Sequence, residues 1–274
     1  MSQDPTPIIP RQGWHVMHLF YQIDHAQWQC LSQEEQRSAK TRLTELVQEI
    51  RSTPDTHLLT FAVATPKADL GFMLLTPDLQ VANAFEKRLT LSLGPEILNA
   101  CYSYLSQTEG SEYTTTSEQY AEETLVGEKG LKAGSPEFDA AMKEFEDRMA
   151  HYLQHRLYPV LPDWPVICFY PMSKRRSGND NWYSLDFATR RELMAGHARV
   201  GRTYAGRILQ LITGSTGLDE HEWGVTLLAK DTMDIKAIVY EMRFDEVSAR
   251  YGEFGDFYIG MQLPLDELFR RVCL

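Results

Sequence analysis

Two hydrophobic periods alternate along this chain. Trp14 to Asp24 alternates and is rich in bulky residues, the signature of a strand. Ser32-Gln33-Glu34-Glu35 then opens a helix as a capping box, with Ser32 as N-cap and Glu35 at the third position. Leu43, Leu46, Val47 and Ile50 follow at the three-four spacing of an apolar helix face, and Pro54 lies beyond its end. Leu58 to Ala64 and Gly71 to Leu75 read as strands joined by a Pro-Lys-Ala-Asp turn. A second helix carries Ala82, Phe85 and Leu89, and Leu98 to Leu105 is a fourth strand. The order is β-α-β-β-α-β.

The pattern then lapses. Residues 106–140 are rich in Thr, Glu, Ser and Gly, poor in large apolar residues, and read as a mobile connector with limited helix at either end. Phe138 to Tyr158 is helical again, with Met142, Phe145, Met149 and Tyr152 in register. From Val166 the earlier order recurs: strand Val166 to Pro171, helix Asp186 to Ala205 with Asp186 as N-cap, strands Arg207 to Thr213 and Gly224 to Ala229, helix Thr232 to Tyr251, strand Phe257 to Leu263. The fold class is therefore α+β, with two ferredoxin-like β-α-β-β-α-β halves whose sheets either pack face to face or join into a barrel. The division is a loose Pro-rich arm at 1–12, an N-terminal half at 13–105, the connector at 106–140 and a C-terminal half at 141–274.

Composition narrows the class. The chain has 274 residues, 43% hydrophobic and 24% charged, as in ordinary globular domains. No apolar run approaches the ~20 residues of a membrane helix, and Met1 to Pro5 is polar with no signal-peptide core. Cys30, Cys101, Cys168 and Cys273 are scattered without a CxxC pair, which fits reduced thiols and a cytoplasmic protein. A formal net charge of -11 argues against nucleic-acid or anionic-membrane binding. In so acidic a chain, an anionic ligand would need a local basic pocket, which makes clustered arginines and lysines informative.

The candidate chemistry is concentrated between Phe169 and Gln210. His197 shares an inward helix face with Met194, Gly201 and Tyr204, and Gly196 and Gly201 leave room for something flat beside the imidazole. A lone helix histidine is a metal ligand or a core residue bonded to backbone. Tyr170, before Pro171, is a half-buried strand tyrosine or an oxidisable phenol. Lys174-Arg175-Arg176 is a solvated basic loop or an anion site. Arg156, Arg202 and Arg243 sit among apolar residues and pair either with carboxylates such as Glu241 and Asp245 or with a ligand. Gln210 faces inward between Ile208 and Ile212 and needs a partner. Ser248 contacts backbone. Gly214-Ser215-Thr216-Gly217 lacks a phosphate-loop ending and reads as a hairpin turn. His15 and His18 do not share a strand face, and His151 and His155 form an i,i+4 pair on a solvated helix.

Several of these segments together resemble the chlorite dismutase-like superfamily. They are Arg156-Leu157-Tyr158-Pro159, Tyr170-Pro171-Met172-Ser173-Lys174-Arg175, Gly214-Ser215 with Gly217-Leu218-Asp219, Glu222-Trp223-Gly224-Val225, Val239 to Asp245, and Tyr251 to Gly255. Within it the chain is similar to the coproheme decarboxylases, most densely from Arg156 to Leu263. The resemblance implies a dimeric α+β barrel-type subunit assembled as a homopentamer, with the porphyrin in the C-terminal half. It implies hydrogen-peroxide-dependent decarboxylation of two propionates of iron-coproporphyrin III (coproheme) to vinyls, giving heme b through a three-propionate intermediate. Coproheme is then substrate and cofactor at once.

The same resemblance implies that His197 is the proximal iron ligand, Tyr170 the phenol oxidised to a radical that takes hydrogen from the propionate β-carbon, and Lys174 the lysine beside a reacting propionate. Arg156, Met172, Arg243 and Ser248 match positions that hold propionates, with Arg202 near the pocket. Gln210 stands where true chlorite dismutases carry an arginine. A transient contact with the enzyme that delivers coproheme follows as a partner. The competing readings are a chlorite dismutase or heme peroxidase on the same scaffold, and a non-catalytic heme-binding protein.

Overall fold

The computed structural model of the protein describes residues 6–274; the first five residues of the expected N-terminal arm lie outside the described residues. Strand β1 (His15–Ile23) is followed by a short helix α1 (His25–Cys30) and by α2 (Gln33–Ser52). Helix α2 starts at the expected capping box, with the Ser32 side chain accepting from the Glu35 amide and the Glu35 carboxylate accepting from the Ser32 amide. Strands β2 (His57–Val63) and β3 (Leu70–Thr76), helix α3 (Leu79–Leu91) and β4 (Leu98–Thr108) complete the first half. In the second half, β5 (Val166–Lys174), α6 (Phe187–Arg202), β6 (Ile208–Gly214), β7 (Trp223–Ala229), α7 (Thr232–Met242), β8 (Gly252–Phe254) and β9 (Tyr258–Gln262) repeat the order, with β8 added.

Each half orders its strands alike: β4-β1-β3-β2 in the first, β9-β5-β7-β6 in the second. The halves join edge to edge. Antiparallel β2–β9 (Phe61 opposite Gln262) makes one seam and β4–β6 (Gln107 opposite Gly214) the other. With β5 also paired to β7, the strands close into a barrel. Patterning alone left face-to-face packing open; the seams decide for joining. At the first seam Gly71 and Gly260 flank Phe61, and a Cβ at either would collide with its ring.

Strand alternation assigns every side chain to a layer. Inside the barrel lie Val16, Phe20, Phe61, Met73, Phe169, Leu211 and Leu228. His18 is also inside, stacked on Phe169 at 3.9 Å between ring centroids, with Nε2 against the Thr226 hydroxyl; burial pushes its pKa down to about 3. The outer face of the first half is sealed by α2 and α3 through Leu43, Leu46, Val47, Ile50, Phe85 and Leu89. A buried side chain of this kind contributes roughly 1.5–3 kcal/mol, so this half is the well-packed buttress. The outer face of the second half is covered only in part by α6 and α7.

Three stretches depart from the sequence reading. Helix is not confined to the ends of 106–140: a helical turn (α4, Ser117–Gln119) continues as a π-helical segment at Tyr120–Glu128 with Leu125 fully buried, before α5 (Pro136–Leu157). The expected helix Thr232 to Tyr251 breaks after Met242 and resumes as a π-helical turn at Val247–Tyr251. After β9, Pro264 opens α8 (Leu265–Arg271), whose Leu268 and Phe269 pack into the first half. Ile8, in the expected arm, is bonded at both its amide and carbonyl to the start of α3. Among the described residues no helix is long and apolar enough to cross a membrane.

Candidate functional site

Between the outer face of the second half and α6/α7 lies a cavity of about 990 Å³. Its volume is at the large end of the ~300–1,000 Å³ range for small-molecule sites, which makes it the candidate binding site. All nine residues singled out in the sequence line it.

The sheet supplies one wall. Ile167 and Phe169 of β5 point into the barrel, so Tyr170, Met172 and Lys174 point out. Tyr170 is 6% exposed and stacks on Phe257 at 4.3 Å. Burial drives its phenol pKa well above the ordinary value; Cys168 adds to the rise and Arg243 opposes it. The hydroxyl therefore stays protonated at neutral pH, and oxidising it means releasing a proton along with an electron.

Of the two alternatives for Lys174, the solvated loop falls away. It is not part of a solvated loop: it pairs with Gly252 of β8 as the last residue of the strand and is 6% exposed. Only Arg175 and Arg176 face solvent, near Asp180, Glu253 and Glu222. Burial lowers the Lys174 pKa to about 8, opposed by the charges of Asp245 and Glu222. Its Nζ lies 5.0 Å from the Trp182 ring centroid. Glu222, buried, accepts the Lys174 backbone amide at 2.7 Å and so fixes the strand end.

Helix α6 supplies the facing wall, capped by Asp186, which accepts from the Thr189 amide. His197 Nδ1 lies 2.8 Å from Asp245 Oδ2; with the carboxylate ionised, the nitrogen donates. Asp245 would be raised by burial, yet the His197 hydrogen bond and charge, the Ser248 amide and Lys174 together hold it below the usual carboxylate range. This bond explains the break in α7. The Asp245 side chain also accepts the Ser248 amide at 3.2 Å, capping the π-helical turn instead of continuing the helix. His197 Nε2 has no protein partner among the described residues and belongs to a cavity-lining ring. Among the described residues no three His, Cys, Asp or Glu side chains converge on a bare ion, so a metal held by His197 must bring its own ligands.

The arginines resolve as well. The carboxylates that could have paired with Arg243 are engaged elsewhere: Asp245 with His197, and Glu241 with the Tyr204 hydroxyl at 2.6 Å. Arg243 lies instead over Phe254 at 3.8 Å. Among the described residues neither it, Arg156 nor Arg202 forms a salt bridge, and Arg156 Nε is buried without a hydrogen-bond partner. Gln210 donates to the Gly201 carbonyl at 3.0 Å, and a Cβ at Gly201 would press on its amide. Ser248 is buried at the cavity edge.

Sequence reasoning missed four groups. Asp245 appeared only as a competitor for Arg243, since its contact with His197 spans 48 residues. Glu222, near Lys174, appeared only inside a family-resembling segment, and Trp182 and Glu109 left no local signal. The Gly214-to-Gly217 turn, with Gly217 at φ 84, is more than a connection, because Gly214, Ser215 and Thr216 line the cavity. His151 and His155 stay outside it on an exposed face, with their Nε2 atoms 3.2 Å apart.

The family model of chlorite dismutase matches residues 36–263, spanning both halves and every cavity residue named above. The chain belongs to the chlorite dismutase family. Among solved structures, a heme-binding protein from Thermus thermophilus is 38% identical, with 98% of this chain and 99% of that chain covered and a TM-score of 0.79. A mutant chlorite dismutase from Candidatus Nitrospira defluvii has a TM-score of 0.70 at 17% identity, covering 97% of this chain and 98% of that one. The latter shares the fold. The family assignment supports the α+β barrel expected from the sequence.

Proposed function

We propose that the cavity binds iron-coproporphyrin III and that the protein oxidatively decarboxylates two of its propionates, with hydrogen peroxide as oxidant, to give heme b. The observation that carries this reading is the convergence of Tyr170, Lys174 and His197 on one cavity whose three arginines lack carboxylate partners among the described residues. The residues fit the ligand. Four carboxylates require several cations in an acidic chain, and Arg156, Lys174, Arg202 and Arg243 supply them. The orphaned Arg156 Nε is a donor awaiting an anion. The 38% identical heme-binding protein supports a tetrapyrrole as the ligand class.

His197 would hold the iron through Nε2, with Asp245 keeping Nδ1 protonated and the ring oriented. The bound iron, with peroxide, supplies one-electron oxidising power. Tyr170, raised in pKa and buried, releases an electron and a proton together and takes a hydrogen from the propionate arm. Lys174, titrating near neutrality, pairs with the reacting carboxylate and moves protons at its Nζ. Per propionate, the β-carbon gives up one hydrogen as a proton and the first electron, the carboxylate leaves as carbon dioxide as the second electron departs, and a vinyl remains. Peroxide accepts the two electrons and becomes two waters, so one proton is consumed overall.

Gln210 favours this reading over chlorite chemistry, for which the resemblance calls for an arginine at that place. Simple heme binding leaves Tyr170 and Lys174 without a task.

The charge assignment is tested by binding. Arg156→Ala or Arg243→Ala should weaken coproheme by about 1.5–3 kcal/mol, the value of a charge-assisted bond, and weaken heme b less because it has two fewer carboxylates. Titration of both macrocycles into each variant reads this directly. Equal losses would refute a propionate-binding role for these arginines.

A further inference from the structure

Two carboxylates, Glu109 and Glu112, line the cavity alongside the cations Arg156, Lys174, Arg202 and Arg243. Glu109 follows the last residue of β4 and lines the cavity with Arg156. The backbone brings their two segments together. The Thr108 hydroxyl donates to the Leu157 carbonyl at 2.7 Å, tying the end of β4 to the end of α5 beside Arg156. On the other side, the Glu109 carboxyl lies against Gly214, where any Cβ would collide with it. Glycine at the end of β6 therefore lets the carboxyl lie against the sheet.

Resting on the reading above, we propose that Glu109 is a specificity-determining residue: it competes with a ligand carboxylate for Arg156. That corner then accepts an anionic arm fully only when Glu109 is protonated. No ion pair joins these two described residues, yet the Arg156 charge acts on Glu109. Burial raises the Glu109 pKa and Glu112 adds to it, while Arg156 and the Trp223 side chain oppose the rise without cancelling it. These are the charged and polar groups that face it from α5, β7 and the connector. A ligand carboxylate arriving at Arg156 adds another anion to the corner, and two neighbouring carboxylates do not both ionise cheaply. Binding at this corner is thus coupled to proton uptake by Glu109. Below its titration Glu109 is neutral and leaves Arg156 to the ligand; above it, the two anions compete.

The test is binding rather than turnover. Ferric coproporphyrin III is titrated into the full chain freed of macrocycle, as wild type, Glu109→Gln, Arg156→Ala and the double variant. At neutral pH Glu109→Gln should bind about tenfold tighter than wild type, equivalent to one pKa unit of interaction. The gap should narrow as the pH falls and the wild-type carboxyl takes up its proton. It should vanish in the Arg156→Ala background. An absent or reversed gap at neutral pH overturns the proposal, as does a gap of equal size without Arg156. Should Glu109→Gln fail to fold, Glu109→Ser removes the same charge and carries the same expected sign. No binding by wild type would instead refute the coproheme reading and take this proposal with it, whereas binding without a gap refutes the role of Glu109 alone.

Discussion

Tyr170→Phe should bind coproheme normally, keep its fold and make no heme b. Phenylalanine retains the ring that stacks on Phe257 at 4.3 Å and removes only the hydroxyl. Burial of the β5 outer face is unchanged, so thermal unfolding should shift little. What is lost is the one group in the proposed mechanism that surrenders an electron and a proton together. The expected fall in product formation is larger than the ~10²–10⁴-fold typical of deleting a proton-transfer group, because the phenyl ring has no alternative chemistry. Peroxide should still bleach the porphyrin. Neither the three-propionate product nor heme b should accumulate over time when samples are separated chromatographically. Lys174→Ala should behave differently: it handles a carboxylate rather than the electron, so the reaction slows and the three-propionate product builds up. If Tyr170→Phe makes heme b at close to the normal rate, the mechanism is wrong even though the cavity and its ligand stand.

The second large effect belongs to His197. His197→Ala should change the ferric absorption spectrum of the bound macrocycle and weaken its retention by more than about tenfold, since loss of an outer partner of a metal ligand alone costs 10–100-fold. Unfolding is not expected, because α6 is anchored independently by its Asp186 cap, and Tyr204 just beyond its end packs into the core between helix and sheet. Asp245, left without its imidazole, keeps the Ser248 amide and the nearby Lys174 charge, so the π-helical turn should persist. An unaltered spectrum would show that iron is held elsewhere.

The contrast between these two residues and their neighbours shows what the sequence could carry. Local signals were legible: the Ser32–Glu35 capping box, the helix N-cap Asp186, and the β-strand alternation that puts Tyr170 and Met172 opposite Phe169. Duplication was legible as a repeated order of elements. Barrel closure was not, because it rests on two short seams, β2–β9 and β4–β6, between strands whose own patterns name no partner. The sequence left Lys174 between a solvated basic loop and an anion site because β8, only three residues long, is what draws it into the sheet. The helix through Asp245 read as continuous because the competitor that breaks it, His197, lies 48 residues away. Glu109 was invisible for the same reason: its meaning comes from Arg156 and Gly214, joined to it only by the closed barrel.

The most direct measurement is a mass spectrum of the macrocycle after the wild-type protein, loaded with iron-coproporphyrin III, receives peroxide. The account predicts two successive losses, each of one carbon dioxide and two hydrogen atoms, ending at heme b. Unchanged or merely fragmented coproporphyrin, with the macrocycle bound and peroxide consumed, would contradict it.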